Sequence, residues 1–158
     1  MIVLDVKVDK KVHQQVIEYL CKSKTARDIL EYHQKSAVRV TVVQVYFHGK
    51  SAFANDYGFK NNKHVIYYNP YAGYEGPQGV LSPALAHIHE LTHAYLHIAK
   101  NPISWEKKIE VQENYVVQNY ENKISEELNE PVRMHYRNYR KVQVSGPVPP
   151  FEVIRRWA

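Results

Sequence analysis

Three observations predict an α+β fold for this chain. An apolar run of period two opens the sequence, Val- and Thr-rich runs recur before residue 70, and two long stretches of helical spacing follow. Ile2, Leu4, Val6 and Val8 alternate with Val3, Asp5, Lys7 and Asp9, the pattern of a half-buried strand. From Lys10 the spacing turns helical through Val12, Val16, Tyr19 and Leu20. Thr25 with Asp28 has the form of a capping box that starts a second helix near Ala26. Ala37 to Phe47 and Lys63 to Asn69 are β-prone, with turn residues Lys60-Asn61-Asn62 ahead of the second, so a small antiparallel sheet is expected.

A Gly- and Pro-containing loop is expected from Asn69-Pro70 to Gly79. Ser82-Pro83 then reads as an N-cap followed by proline in the first turn. In the helix that follows, Ala84, Ile88, Leu91, Tyr95 and Ile98 form an apolar stripe, and Asn101-Pro102 ends it. Trp105 to about Asn129 holds no Gly or Pro and predicts a long second helix closed by Pro131. Ser145 to Pro150 reads as an extended tail segment, and the pattern assigns no element to residues 151–158.

Composition narrows the function. A chain of 158 residues, 44% hydrophobic and 23% charged, buries a core, and one domain over 1–158 is expected. Its net charge of +5 comes from scattered bases, which argues against a nucleic-acid partner. Cys21 is the sole cysteine, so an intramolecular disulfide and a cysteine zinc ribbon are excluded, a reducing compartment fits, and any metal must use His, Glu or Asp. The start lacks a basic n-region and long apolar core, and nothing approaches the ~20 apolar residues of a membrane span, so neither signal peptide nor span is expected.

The stretch His89-Glu90-Leu91-Thr92-His93 carries chemistry. Histidines four apart on a helix point the same way and can hold one zinc ion at ~2.0 Å, while Glu90 swings aside, placed to take a proton from water. On that helix His87 faces roughly away from His89, as a packing or supporting residue, and His97 lies ~12 Å along the axis from it, too far to share a metal. A catalytic zinc needs a third protein ligand and keeps its fourth position open. The second helix offers Glu106, Glu110 and Glu113 on one face with Val117, Tyr120 and Ile124, which is either a solvated acidic face or the source of that ligand. In the glutamate zincins the third ligand follows the second histidine by roughly twenty residues on the next helix. That likeness makes Glu113, twenty past His93, the expected ligand and Glu110, seventeen past it, the reserve.

The residues also resemble one family. The run His89 to Tyr95, preceded by Tyr68-Asn69-Pro70, is similar to the NleD-type effector metallopeptidases, which occur as injected bacterial effectors and as tips of Rhs-like toxins. In that family Glu-x-x-x-Val leads to Glu-Asn-x-x-Arg-x-Glu-Leu-Gly-x-Pro-x-Arg-x-x-Tyr. This chain has Glu113 and Val117, then Glu121-Asn122, Glu127-Leu128, Pro131, Arg133 and Tyr136, with Ser125 in place of Arg and Asn129 in place of Gly. The likeness spans about residues 64–136. It implies a minimal zincin-like fold, a small sheet packed on the zinc helix and a second helix, and a zinc endopeptidase that a secretion system delivers into the reducing cytoplasm of a target cell. A protein substrate, an immunity protein and a secretion-system carrier are the implied partners. Tyr136, Arg133 and His135 are the candidate oxyanion donors, with Tyr136 favoured by the family pattern; Asn122 and Glu110 are candidate supporting residues, and Arg133 could equally cap a helix or pair with Glu127. The run His64 to Asn69 is a candidate edge strand for an extended substrate. The alternatives are a regulatory or DNA-associated zincin protease and a catalytically inactive zinc-containing binding module.

Overall fold

The computed structural model describes residues 1–45 and 64–156, with the backbone of 59–60. The expected strand residues Tyr46, Phe47 and Lys63 and the turn residues Asn61-Asn62 lie outside these. In order the elements are β1 (Ile2–Leu4), α1 (Lys10–Leu20), α2 (Lys24–Lys35), β2 (Val40–Gln44), β3 (Phe59–Lys60), β4 (Val65–Tyr68), β5 (Ala72–Gly76), β6 (Gly79–Leu81), α3 (Pro83–Ile98), a 3₁₀ turn (Pro102–Trp105), α4 (Ile109–Val116), a π-helical turn (Val117–Glu121), α5 (Asn122–Glu127), β7 (Arg140–Val144) and β8 (Val153–Arg156).

The fold is α+β, with two four-stranded sheets instead of one antiparallel sheet. The first has the order β1-β2-β4-β3 and is mainly parallel: Val3 pairs with Thr41 and Val42 with Ile66. Parallel neighbours need a crossover, and α1 and α2 supply it between β1 and β2. The opening strand stops at Leu4; Val6 is 92% exposed, and Asp9 caps α1 by accepting from the Lys11 and Val12 amides. Ser23, not Thr25, caps α2 through the Ala26 amide. The Glu127 carboxylate accepts from the Lys24 amide at 2.9 Å and from the Ser23 hydroxyl, which ties the end of α5 to that cap. β4 lies between β2 and β3, so the run from His64 is not an edge strand where β3 covers it, at Val65 and Ile66.

The second sheet, order β6-β5-β7-β8, is antiparallel. Two of its strands come from the segment expected to be a loop, since β5 and β6 form a hairpin through Gly76 and Gly79, whose φ is +131°. The fourth comes from the expected tail, where β8 pairs with β7. The Pro147 carbonyl accepts from the Ala84 amide and Val148 packs on the core, so the segment before β8 buttresses the start of α3.

Helix α3 is enclosed by α1, α2, β4, β5 and the α4–α5 stretch, and is buried on almost every side. Its stripe residues Ala84, Ile88 and Leu91 are fully buried, but so is His87, and His89 is 4% exposed. A helix buried nearly all round, its polar residues included, lies at the centre of the core. Its N-cap is held twice: Ser82 Oγ accepts from the Leu85 amide, and the buried Glu130 carboxylate accepts from the Ser82 amide at 2.8 Å and hydroxyl at 2.7 Å. The long second helix begins at Ile109 instead of Trp105 and carries a π turn. It ends before Pro131 as expected, and Asn129 is left-handed at φ 57°, with the Glu130 amide donating to the Ser125 carbonyl. Among the described residues, no helix is long and apolar enough to cross a membrane.

Candidate metal centre

The Ser82 cap and Pro83 fix the phase of α3, and one turn of it brings His89 and His93 side by side, with Nε2 atoms 3.2 Å apart. Glu113 reaches the pair from α4. Its Oε2 lies 2.7 Å from His89 Nε2 and 3.1 Å from His93 Nε2. Among the described residues, His89, His93 and Glu113 form the one group of three such side chains close enough to share a metal ion. Glu110, one turn earlier, is not part of it; it is exposed and paired with Arg137. Glu106 precedes the helix altogether.

A carboxylate that the motif did not single out completes the arrangement. Glu121, 2% exposed, accepts from His89 Nδ1 at 2.8 Å and is held by Arg133, whose Nε and Nη2 donate to its two oxygens at 2.6 and 2.7 Å. The π turn is what makes this possible. Eight residues of regular α-helix would leave Glu121 about 80° round from Glu113, and the extra residue of a π turn removes roughly that angle. Both carboxylates therefore meet the same imidazole, one at each ring nitrogen.

This donor set calls for a positive charge. With its Nδ1 proton given to Glu121, a neutral His89 turns an Nε2 lone pair towards Glu113 Oε2 at 2.7 Å, two acceptors facing each other. A proton or a cation between them removes the repulsion. Without a cation the proton is strongly held: burial lowers the His89 pKa, but the Glu113 and Glu121 carboxylates outweigh it and raise it to about 10. Burial raises Glu113, and its bonds to both histidines override this and hold it well below the usual carboxylate range. Glu121 follows the same pattern, burial raising it and His89 with Arg133 lowering it.

The cluster opens on a cleft of about 430 Å³ lined by His89, Glu90, Glu121, Arg133, Tyr136 and Tyr139, among others. Burial raises the Glu90 pKa, and the two imidazoles partly offset it. Tyr136 stacks near His89 with ring centroids 6.3 Å apart, and its backbone amide donates to Asn114 Oδ1, the residue after Glu113. Asn122 holds the Arg133 backbone from both sides, accepting from its amide at 3.0 Å and donating to its carbonyl at 2.7 Å. Arg133 is thus partnered with Glu121, not Glu127. His135 is exposed and does not line the cleft. His87 lies on the far side of α3, its Nε2 3.3 Å from that of His13 and its ring tilted against Tyr68.

Set beside known proteins, the chain matches no family model, no curated protein and no solved structure.

Proposed function

We propose that this chain is a zinc-dependent endopeptidase of zincin-like fold, acting as a secreted or injected bacterial effector or toxin domain on a protein of the target cell. The observation that carries the reading is the convergence of two imidazole nitrogens and a carboxylate oxygen, backed by a second carboxylate on the far nitrogen of His89. Neutral imidazole and carboxylate donors with such backing suit zinc, and the outer carboxylate raises ligand basicity and fixes the ring. The donor atoms stand 2.7 to 3.2 Å apart, a few tenths of an ångström inside the about 3.3 Å edge of a tetrahedron with ~2.0 Å bonds. His89, His93 and Glu113 would hold the ion. Bound there, zinc supplies Lewis acidity that acidifies water and polarises an amide carbonyl.

The protein's own groups do the rest. Glu90, whose carboxyl pKa burial raises, takes a proton from the attacking water and returns it to the leaving amine. Tyr136 faces the cleft from a loop anchored on Asn114 and donates its hydroxyl proton in a hydrogen bond to the developing oxyanion. Glu121, Arg133 and Asn122 act through His89 by fixing its tautomer and angle. The family resemblance of the segment Glu113 to Tyr136 supports the effector assignment, with an immunity protein or secretion carrier as further partners. The test is proteomic: incubation of a target-cell extract with the zinc-loaded chain and with Glu90→Gln. New protein termini should form with the parent and be absent with Glu90→Gln that still holds zinc. Equal biological effect of the two would make the chain a binding module.

A further inference from the structure

We infer that the cleft continues into an arginine-lined groove that selects an acidic side chain on the substrate, to one side of the cleaved bond; the choice of a polypeptide as ligand rests on the peptidase reading. The groove, about 760 Å³, is walled by Glu75, Gly76, Pro77, Arg140 and Arg156, and Asn138 and Tyr139 line both it and the cleft. The Tyr139 ring lies directly on the β5–β6 hairpin, since a Cβ on Gly76 would come within 2.4 Å of it. The shared wall is therefore set by packing.

Two guanidinium groups converge in this groove on one carboxylate. Arg140 donates from Nε and Nη2 to Glu75 Oε1 at 3.1 and 2.8 Å; Arg156 donates from Nε and Nη2, reaching Oε1 and Oε2 at 2.9 Å each. The single charge of Glu75 balances one of these two guanidinium groups, and one positive charge is left over. It sits outermost: the side chains of Arg140 and Arg156 are 60% and 51% exposed, and that of Glu75 is 19% exposed. An incoming anion meets guanidinium donors first, in the planar geometry that suits carboxylate or phosphate. Arg137, 68% exposed and paired with Glu110, lines the cleft side of the junction. An extended peptide held at His89 and Glu90 that leaves the cleft over the shared residues Asn138 and Tyr139 reaches this wall within a few residues, at about 3.4 Å per residue.

The experiment uses fluorescein-labelled peptides with a Leu-Tyr-Ala core flanked by Glu, Gln or phosphoserine, bound to zinc-loaded Glu90→Gln protein and read by anisotropy. At low salt the Glu peptide should bind about tenfold tighter than the Gln peptide, and added salt should erode the preference. Arg140→Gln with Arg156→Gln should abolish it, while Glu75→Gln, which frees both arginines, should increase it. That opposite response separates recognition from a structural role, in which all three changes would weaken binding alike. A phosphoserine peptide binding tighter still would keep the site and assign it to phosphate. Equal binding of the Glu and Gln peptides, a preference unchanged without the arginines, or tighter capture of a DNA oligonucleotide of equal charge would overturn the inference. If the parent cleaves nothing in extracts while this pattern holds, the peptidase reading falls and the groove stands.

Discussion

Glu121→Gln tests how the buried carboxylate supports the site. The substitution keeps an acceptor for His89 Nδ1 but removes the charge that faces Arg133, which is 7% exposed and bonded twice to Glu121. Breaking one partner of a buried pair costs about 3–5 kcal/mol because the other charge stays buried, a large part of the 5–15 kcal/mol typical of a domain. Loss of an outer-shell partner also lowers metal affinity by about 10- to 100-fold, or roughly 1.4–2.7 kcal/mol. The two effects separate in a second variant. Adding Arg133→Met removes the stranded charge, so stability should recover by several kcal/mol while zinc affinity stays low. Urea unfolding in a chelator reads the first quantity, and competition for zinc with a coloured chelator reads the second. The reasoning is refuted if Glu121→Gln costs under about 1 kcal/mol and leaves zinc affinity within threefold of the parent.

Two further outcomes follow from buried groups and backbone geometry. Burial holds His13 at a pKa of about 4, below its ordinary 6.5, so the unfolded chain binds a proton there between those values and the folded chain does not. Its contribution to stability is therefore full above pH 6.5 and falls as pH drops towards 4, by up to about 3 kcal/mol; His13→Gln should flatten that part of a stability-against-pH curve measured in urea. At the left-handed Asn129, φ 57°, Asn129→Ala should cost about 1 kcal/mol and Asn129→Gly should be neutral or stabilising, both read from urea midpoints.

What was legible in the sequence was local. Ser82, Pro83 and the apolar spacing predict α3 and place His89 and His93 together, because capping and helical period act within a few residues. The first sheet misled because strand direction is set by connections: alternation from Ile2 to Val8 cannot show that α1 and α2 cross over to make β1 and β2 parallel neighbours. Gly73, Gly76, Pro77 and Gly79 read as loop, yet the hairpin needs small residues where Tyr139 packs and where φ is positive. The segment after Ser145 read as tail since its partner, β7, has no strong pattern of its own. Glu121 fell off the face of Glu113 because helical counting assumes 3.6 residues per turn, and a π turn shifts all that follows. A signal existed in the family pattern, which holds Glu121 and Arg133 together with Asn122.

The measurement that bears most directly on the central claim is the zinc content of the purified chain by elemental analysis, beside Glu90→Gln, His93→Ala and Glu113→Ala. Zinc close to equimolar in the parent and in Glu90→Gln, and lost from the other two, is the predicted result. A parent that takes up no zinc even after reconstitution, or zinc that survives Glu113→Ala, would contradict the site described at His89, His93 and Glu113.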